Sequence, residues 1–238
     1  FRTLVHKEGG VGVLFTEMLA AKRLPHDNPK VSPLLARNVA ERPLIYQLIV
    51  ADPGHIRPAV DKIHSLDAQG IDLNLGCPAP VQKRQGAGAT LAKNHQLLCR
   101  VLGLLRKSTE LPLSVKIRLG ESVNPESLRK FCRMLAAEGV DLITIHARLY
   151  SEKFCRKPRW AMIGEAKDCV QVPVFANGGI FSADDARRCL ALSGADGLMV
   201  GRGAAVRPWL CREIAEKIYG HFGSGSLRSK RDIFFEFF

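Results

Sequence analysis

"VPVFANGGIFSADDARRCLALSGADGLMVGRG", residues 172–203, is the stretch that decides the fold. Its first part, Val172–Gly179, is an apolar, β-rich run that stops on Asn177, Gly178 and Gly179. Ser182 then stands in the position of a helix N-cap, and Asp184 and Asp185 suit the positive end of a helix dipole. The helical segment closes at Gly194, and a second apolar run, Ala195–Gly203, follows at once. Two strands joined by a helix pair in parallel, because the crossover returns the chain to the edge it left.

The same rhythm extends outward through the chain. Apolar runs at Val11–Met18, Pro43–Ile49, Ile71–Gly76, Leu111–Leu119 and Val140–Ala147 read as further strands. They are apolar on both faces, as a parallel sheet buried between helices requires. Between them, Asn124–Gly139 carries a cap, a proline at its first turn and a terminal glycine, with Leu128, Phe131, Cys132, Leu135 and Ala136 on one face. Pro53–Gly70 reads the same way, and "FRTLVHKEGG" (1–10) reads as a helix ending in glycines. The fold class is therefore α/β, a TIM-type (β/α)8 barrel. About seven strand–helix units are visible where a closed barrel needs eight. The missing first strand is expected before Phe1, and residues 1–220 are expected to form the barrel.

The chain has 238 residues, 46% of them hydrophobic, which supplies a substantial core. Its 35 Lys and Arg against 23 Asp and Glu leave a formal charge of +12, which points to an anionic partner, with nucleic acid foremost. No two of the seven cysteines have Cys-x-x-Cys spacing, so no metal site is expected. Reduced thiols, no secretory pattern and no apolar run long enough for a bilayer together predict a cytoplasmic protein without a membrane partner.

In such a barrel the reactive groups gather at the C-terminal ends of the strands. Those ends carry Gln47, then Asn74 and Cys77, then Lys116 and Arg118, then His146 and Arg148. The last two end in Asn177-Gly178-Gly179 and Gly201-Arg202-Gly203, each ahead of a helix start. Glycine lets a phosphate approach backbone N–H groups closely, although it also serves tight turns. Lys116, inside an apolar strand, needs an anionic or polar partner: a ring that becomes anionic, a phosphate, or an internal carboxylate. His146 is suited to donate to a ring nitrogen or carbonyl, or to sit satisfied in the core.

The segment "DLNLGCPAPVQKRQGAGATL" (72–91) closely resembles the signature of the tRNA-dihydrouridine synthases. "FRTLVHKEGGVGVLFTEM" (1–18), "SVKIRLG" (114–120), "ITIHAR" (143–148), "VFANGGI" (174–180) and "GLMVGRGAAVRPWL" (197–210) follow that family's order and spacing. The resemblance implies a barrel that binds FMN, takes its electrons from NADPH and reduces the C5–C6 bond of a uridine in tRNA, followed by a helical RNA-binding domain that begins at 221–238. It implies that Gln47, Lys116 and His146 contact the flavin ring. Asn177, Gly178, Gly179, Gly201 and Arg202 would hold its phosphate end, and Asn74 and Arg148 the extracted uracil. Cys77 matches the proton donor, a role suited to a small thiol on a loop stiffened by Pro78. Lys83, Arg84, Lys93 and the basic segment 151–160 are placed to meet tRNA, and the chain is expected to act as a monomer.

The family's Pro-Met-Ala-Gly motif on the first strand has no counterpart in this sequence, so the chain reads as truncated at both ends. Two alternatives remain: another FMN barrel oxidoreductase acting on a small pyrimidine, such as a dihydroorotate dehydrogenase, and a non-catalytic RNA-binding remnant.

Overall fold

The computed structural model describes residues 1–221. The helical segment expected at 221–238 thus lies, past its first residue, outside the described residues. The chain opens with helix α1 (Arg2–Glu8), which ends on Gly9 and Gly10 with φ of 85° and 73°. Strands β1 (Leu14–Phe15) and β2 (Leu19–Ala20) follow, then β3 (Leu44–Ile49), α2 (Ile56–Ser65) and β4 (Gly70–Asn74). Two short helices, α3 (Pro80–Gln85) and α4 (Ala89–Lys93), precede α5 (His95–Ser108) and β5 (Leu113–Arg118). The remainder alternates: α6 (Pro125–Ala137), β6 (Leu142–His146), α7 (Ala161–Lys167), β7 (Val174–Asn177), α8 (Ala183–Ser193), β8 (Gly197–Met199), α9 (Arg202–Val206) and α10 (Leu210–Tyr219).

Every strand pair is parallel, in the order β1-β3-β4-β5-β6-β7-β8, with β2 also on β3. The expected strand Val11–Met18 is instead two short pieces of one barrel position. Leu14 pairs with Leu44 and Leu19 with Leu48, so the offset drops from 30 to 29 residues across the break. The cause is a contact with the next strand: Thr16 Oγ1 takes the backbone N–H of Gln47 at 3.0 Å, and this strand bulges where a side chain replaces a ladder carbonyl. The run Ala195–Gly203 is strand only over Gly197–Met199, since Arg202 already begins α9.

The strands hold seven of the eight positions of a (β/α)8 barrel. Among the described residues β8 and β1 do not pair. On that side α1 lies against α10, where the buried Glu8 carboxylate meets Arg212 at 3.1 Å. The sheet is curled, because side chains from β1 and from β8 border the same cavity.

Outward-facing residues carry the core. Leu73, Val115, Ile117, Ile143, Ile145, Val174 and Ala176 are fully buried under the helices. From the helices, Val60, Ile63, Leu98, Leu102, Leu105 and Leu135 meet them. Helix starts follow the capping reading: Asn94 accepts from Leu97 N–H, Asn124 from Ser127 N–H and Ser182 from Asp185 N–H, at 3.0–3.1 Å. The strands are not apolar on both faces, however. Asp72, Asn74, Ser114, Lys116, Arg118, Thr144, His146 and Asn177 all take alternate positions, on the face turned into the barrel.

Candidate active site

Strand register stacks these inward residues in layers. Asn74, Lys116, Thr144, Phe175 and Gly197 are aligned across β4 to β8. One step further along, Arg118, His146, Asn177 and Met199 form the next layer. All of these except Thr144 border a cavity of about 930 Å³ at the C-terminal ends of the strands. Gln47, Asn74, Cys77, Lys116, His146, Asn177, Gly178, Gly179, Gly201 and Arg202 all reach it.

Arg148 does not. It is buried, and its guanidinium donates to the carbonyls of Arg156 at 2.6 Å and Phe154 at 3.1 Å, so it ties down the 151–160 segment. Its third contact, 2.9 Å, is to His146 Nε2. Arg118 does border the cavity, and its guanidinium is held by the carbonyls of Leu149 and Glu152.

On the β3–β5 side the polar atoms form one chain of bonds. Ser114 Oγ donates to Asp72 Oδ1 at 2.6 Å, and Gln47 Nε2 donates to Asp72 Oδ2 at 2.7 Å. Asn74 Nδ2 donates to Gln47 Oε1 at 2.9 Å. Asn74 Oδ1 accepts the backbone N–H groups of Gly76 at 3.1 Å and Cys77 at 3.0 Å. Cys77 is fixed from its other side as well, since its carbonyl accepts from Ala89 N–H at 3.1 Å. Gly88 makes that approach possible: at φ 59°, an added Cβ would lie 2.7 Å from the Cys77 carbonyl oxygen. The Gly-rich stretch is thus no open loop; it turns from α3 into α4 and buttresses the cysteine.

Burial lowers the Lys116 ammonium to about 8, with Asp72 opposing the shift. Burial likewise raises the Asp72 carboxyl, against its bonds to Ser114 and Gln47 and the charge of Lys116. His146 falls to about 3, through burial and the surrounding charges of Lys116, Arg118, Arg148 and Arg202. It is therefore neutral at physiological pH. A guanidinium can only donate, so Nε2 is the acceptor toward Arg148 and the ring proton sits on Nδ1.

The glycines of the last two strand ends have mixed causes. Gly178 (φ 104°) leaves no room for a Cβ, which would stand 2.4 Å from the His146 ring, and Gly179 (φ 76°) would strike Pro158 at 2.7 Å. Both are turn and packing glycines. Gly203 packs too, with Ile180 O at 2.1 Å from an added Cβ. Only Gly201 has open space around it. Asn177 spends its amide on Met199 O at 2.7 Å.

Sequence reasoning missed Asp72, Ser114 and Phe154. The first two sit inside apolar runs, where alternation with period two was the available signal. Phe154 stacks on His146 at 5.9 Å between ring centroids and lies 4.2 Å beneath the Arg202 guanidinium. Of the basic residues assigned to RNA, Lys93 pairs with Glu121 and lies over the Tyr150 ring, and Arg159 is paired twice to Glu152. Lys83, Arg84, Lys153, Arg156 and Lys157 are exposed and form no ion pair among the described residues.

The fold matches histamine dehydrogenase from Rhizobium sp. 4-9 with a TM-score of 0.68 over 90% of this chain and 42% of that one, at 13% identity. In sequence, a probable tRNA-dihydrouridine synthase 1 of Synechocystis sp. is 32% identical over 216 residues, 90% of this chain and 60% of that protein. A tRNA-dihydrouridine(16) synthase of Pseudomonas putida is 34% identical over 222 residues, 90% of this chain and 68% of that protein. The chain thus spans 60–68% of the length of these relatives. The dihydrouridine synthase family model matches residues 1–226, which takes in every strand and the cysteine loop, and the chain belongs to that family.

Proposed function

We propose that this chain is the flavin-binding, catalytic part of a tRNA-dihydrouridine synthase that uses FMN and NADPH to reduce a uridine of tRNA. One observation carries the reading: Cys77 borders the same cavity as Gln47, Asn74, Lys116, Arg118 and His146, a β3–β6 wall rich in N–H groups. The Gln47 and Asn74 acceptor oxygens are both used internally, which leaves N–H groups to face outward. Lys116, Arg118 and His146 border the same cavity and carry further N–H groups. A flat ring edged with carbonyl oxygens that gains negative charge on reduction fits such a wall.

FMN, when bound, supplies the hydride for uracil C6. Gln47, Lys116 and His146 would hold the flavin ring. Gly201, the strand-end glycine with open space, and Arg202 hold the phosphate end, whereas Gly178 and Gly179 shape the turn that supports His146. Cys77 would deliver its thiol proton to C5, while Asn74 keeps the cysteine backbone in place. Arg148 acts one step away, by holding His146 and the 151–160 segment. The uridine leaves its stack to reach this cavity, which costs a few kcal/mol. Contacts from Lys83, Arg84, Lys153, Arg156 and Lys157 to phosphates offset that cost.

The test is incubation of the protein with FMN, NADPH and unmodified tRNA, with dihydrouridine measured by mass spectrometry of the digested RNA. Flavin retention with turnover of dihydroorotate and none of tRNA would replace this reading by a small-pyrimidine oxidoreductase. Failure to bind flavin, with tRNA still bound, would replace it by an RNA-binding role.

A further inference from the structure

Asp72 touches neither the cavity nor the cysteine, yet the bonds beginning at its carboxylate end at the backbone of Cys77. We infer that Asp72 is a positioning residue: it sets the direction of the hydrogen bonds through Gln47 and Asn74, and so fixes both the donor wall and the Cys77 loop. The inference deepens the proposed function and rests on it for the meaning of the donor wall, but not for the chain of bonds itself.

A side-chain amide can be turned by 180° about its last bond, exchanging donor and acceptor with little change of shape. Gln47 and Asn74 each have that freedom, and in isolation neither would know which way to face. The two ends of the chain have no such freedom. The Asp72 carboxylate accepts, so Gln47 presents Nε2 to it and Oε1 to Asn74. Asn74 must then donate through Nδ2, which turns its Oδ1 to the N–H groups of Gly76 and Cys77. Those N–H groups can only donate, and they demand the same orientation. Asp72 and Asn74 are fixed on β4, and Gln47 lies opposite Asp72 in register on β3, so the three cannot drift apart without breaking the sheet. Ser114, opposite Asp72 on β5, completes the carboxylate's partners. The four side chains Gln47, Asp72, Asn74 and Ser114 are buried, where an unmet donor or acceptor costs more than at the surface.

This makes a distinctive demand on substitution. Gln47→Glu puts two carboxyl groups 2.7 Å apart where one donated before, and the pair can share only one proton. Adding Asp72→Asn restores every bond with the acid and amide exchanged. Ser114 donates to the new amide oxygen, the new amide nitrogen donates to the acid at 47, and Asn74 donates to that acid as before. Charge and shape are conserved, and Asn74 is untouched.

The experiment follows alkylation of Cys77 by iodoacetamide in the full chain without flavin or tRNA, read on the Cys77 peptide by mass spectrometry. Exposed Cys155 serves as internal control. Gln47→Glu is expected to change the Cys77 rate by about fivefold or more, and the double variant to return it to within about twofold of the parent, with Cys155 constant throughout. FMN affinity is expected to stay low in the double variant, because the acid at 47 now shows lone pairs to the cavity where Gln47 showed an N–H group. A double variant as displaced as Gln47→Glu, a single variant that reacts at the parent's rate, or a double variant that does not fold overturns the assignment. The alkylation comparison involves no catalysis, so it stands even if the tRNA reading fails; full FMN affinity in the double variant would overturn the donor wall alone.

Discussion

The two walls of the cavity are built on different principles. Between β3 and β5, side chains carry the site: Gln47, Asp72, Asn74 and Ser114 are joined in one chain of bonds that reaches Cys77. At the ends of β7 and β8 the backbone carries it, in turns that only glycine can make at Gly178 and Gly179. The first wall specifies donor direction, and the second specifies shape. The sharpest break of this comparison is at Cys77, the one reactive group that the first wall positions. Cys77→Ala is expected to lower uridine reduction by about 10²–10⁴-fold, as the loss of a general acid does. FMN binding, read by absorbance of the purified protein, should remain, because the thiol contributes nothing to the donor wall. Equal turnover by the variant and parent would remove the proton-donor role.

Within the second wall, two glycines should respond in opposite ways. Gly178→Ala forces a Cβ to within 2.4 Å of the His146 ring at φ 104°, and is expected to cost about 2–4 kcal/mol in urea unfolding. Gly201→Ala meets no neighbour and has φ of −117°, so its stability should stay within about 0.5 kcal/mol of the parent. If the flavin phosphate lies against Gly201, however, the same methyl group weakens FMN binding. A stability loss at Gly201 as large as at Gly178 would mean that both glycines only shape turns.

His146 joins the two walls, and its burial gives a pH dependence of stability. Its folded pKa, about 3, lies well below the ordinary 6.5. Between those values the unfolded chain binds a proton that the folded chain does not, so stability falls as pH falls from 6.5 toward 3 and is unaffected by this group above 6.5. The slope is at most about 1.4 kcal/mol per pH unit. Comparing urea midpoints at pH 7 and pH 5 for the parent and His146→Gln checks it: the variant should lose less on acidification. A parent and variant with the same slope would show that His146 titrates freely.

Much of this was legible in the sequence, for reasons that can be given residue by residue. Asn124, Ser182, Gly139 and Gly194 marked helix ends because capping is a local interaction, confined to neighbouring residues. Strand ends led to the cavity, since a parallel barrel collects them at one mouth. Less was visible where long-range contacts decide. Asp72 looked like a polar interruption of an apolar strand, because its partners Gln47 and Ser114 lie 25 and 42 positions away. The interruption between β1 and β2 depends on a threonine hydroxyl reaching Gln47 of the next strand. Arg118 is the last residue of β5, whereas Arg148 lies two residues past the end of β6, where its guanidinium binds carbonyls of the 151–160 segment. Glycine alone could not reveal whether a phosphate or a His146 ring stood beside it.

The smallest effects lie outside both walls, on the basic surface, and they separate free charges from paired ones. Lys83 and Arg84 sit in the last turn of α3, exposed and without ion pairs among the described residues. Lys93, on the next helix, is paired with Glu121 and rests over Tyr150. A cation already neutralised by a carboxylate has less to offer a phosphate, because binding the phosphate means giving up or sharing its partner. If tRNA crosses this face, Lys83→Ala and Arg84→Ala should each weaken binding a few-fold and reduce the slope of log affinity against log salt by about 0.7–0.9. Lys93→Ala should change that slope by clearly less. Binding isotherms at several salt concentrations decide the matter, and they must be done with the cavity intact so that base extraction is the same in all variants. Equal slopes for Lys93→Ala and Lys83→Ala would show that the Glu121 pair opens when RNA arrives. Slopes unchanged in all three variants would move the RNA path to the exposed cations of the 151–160 segment.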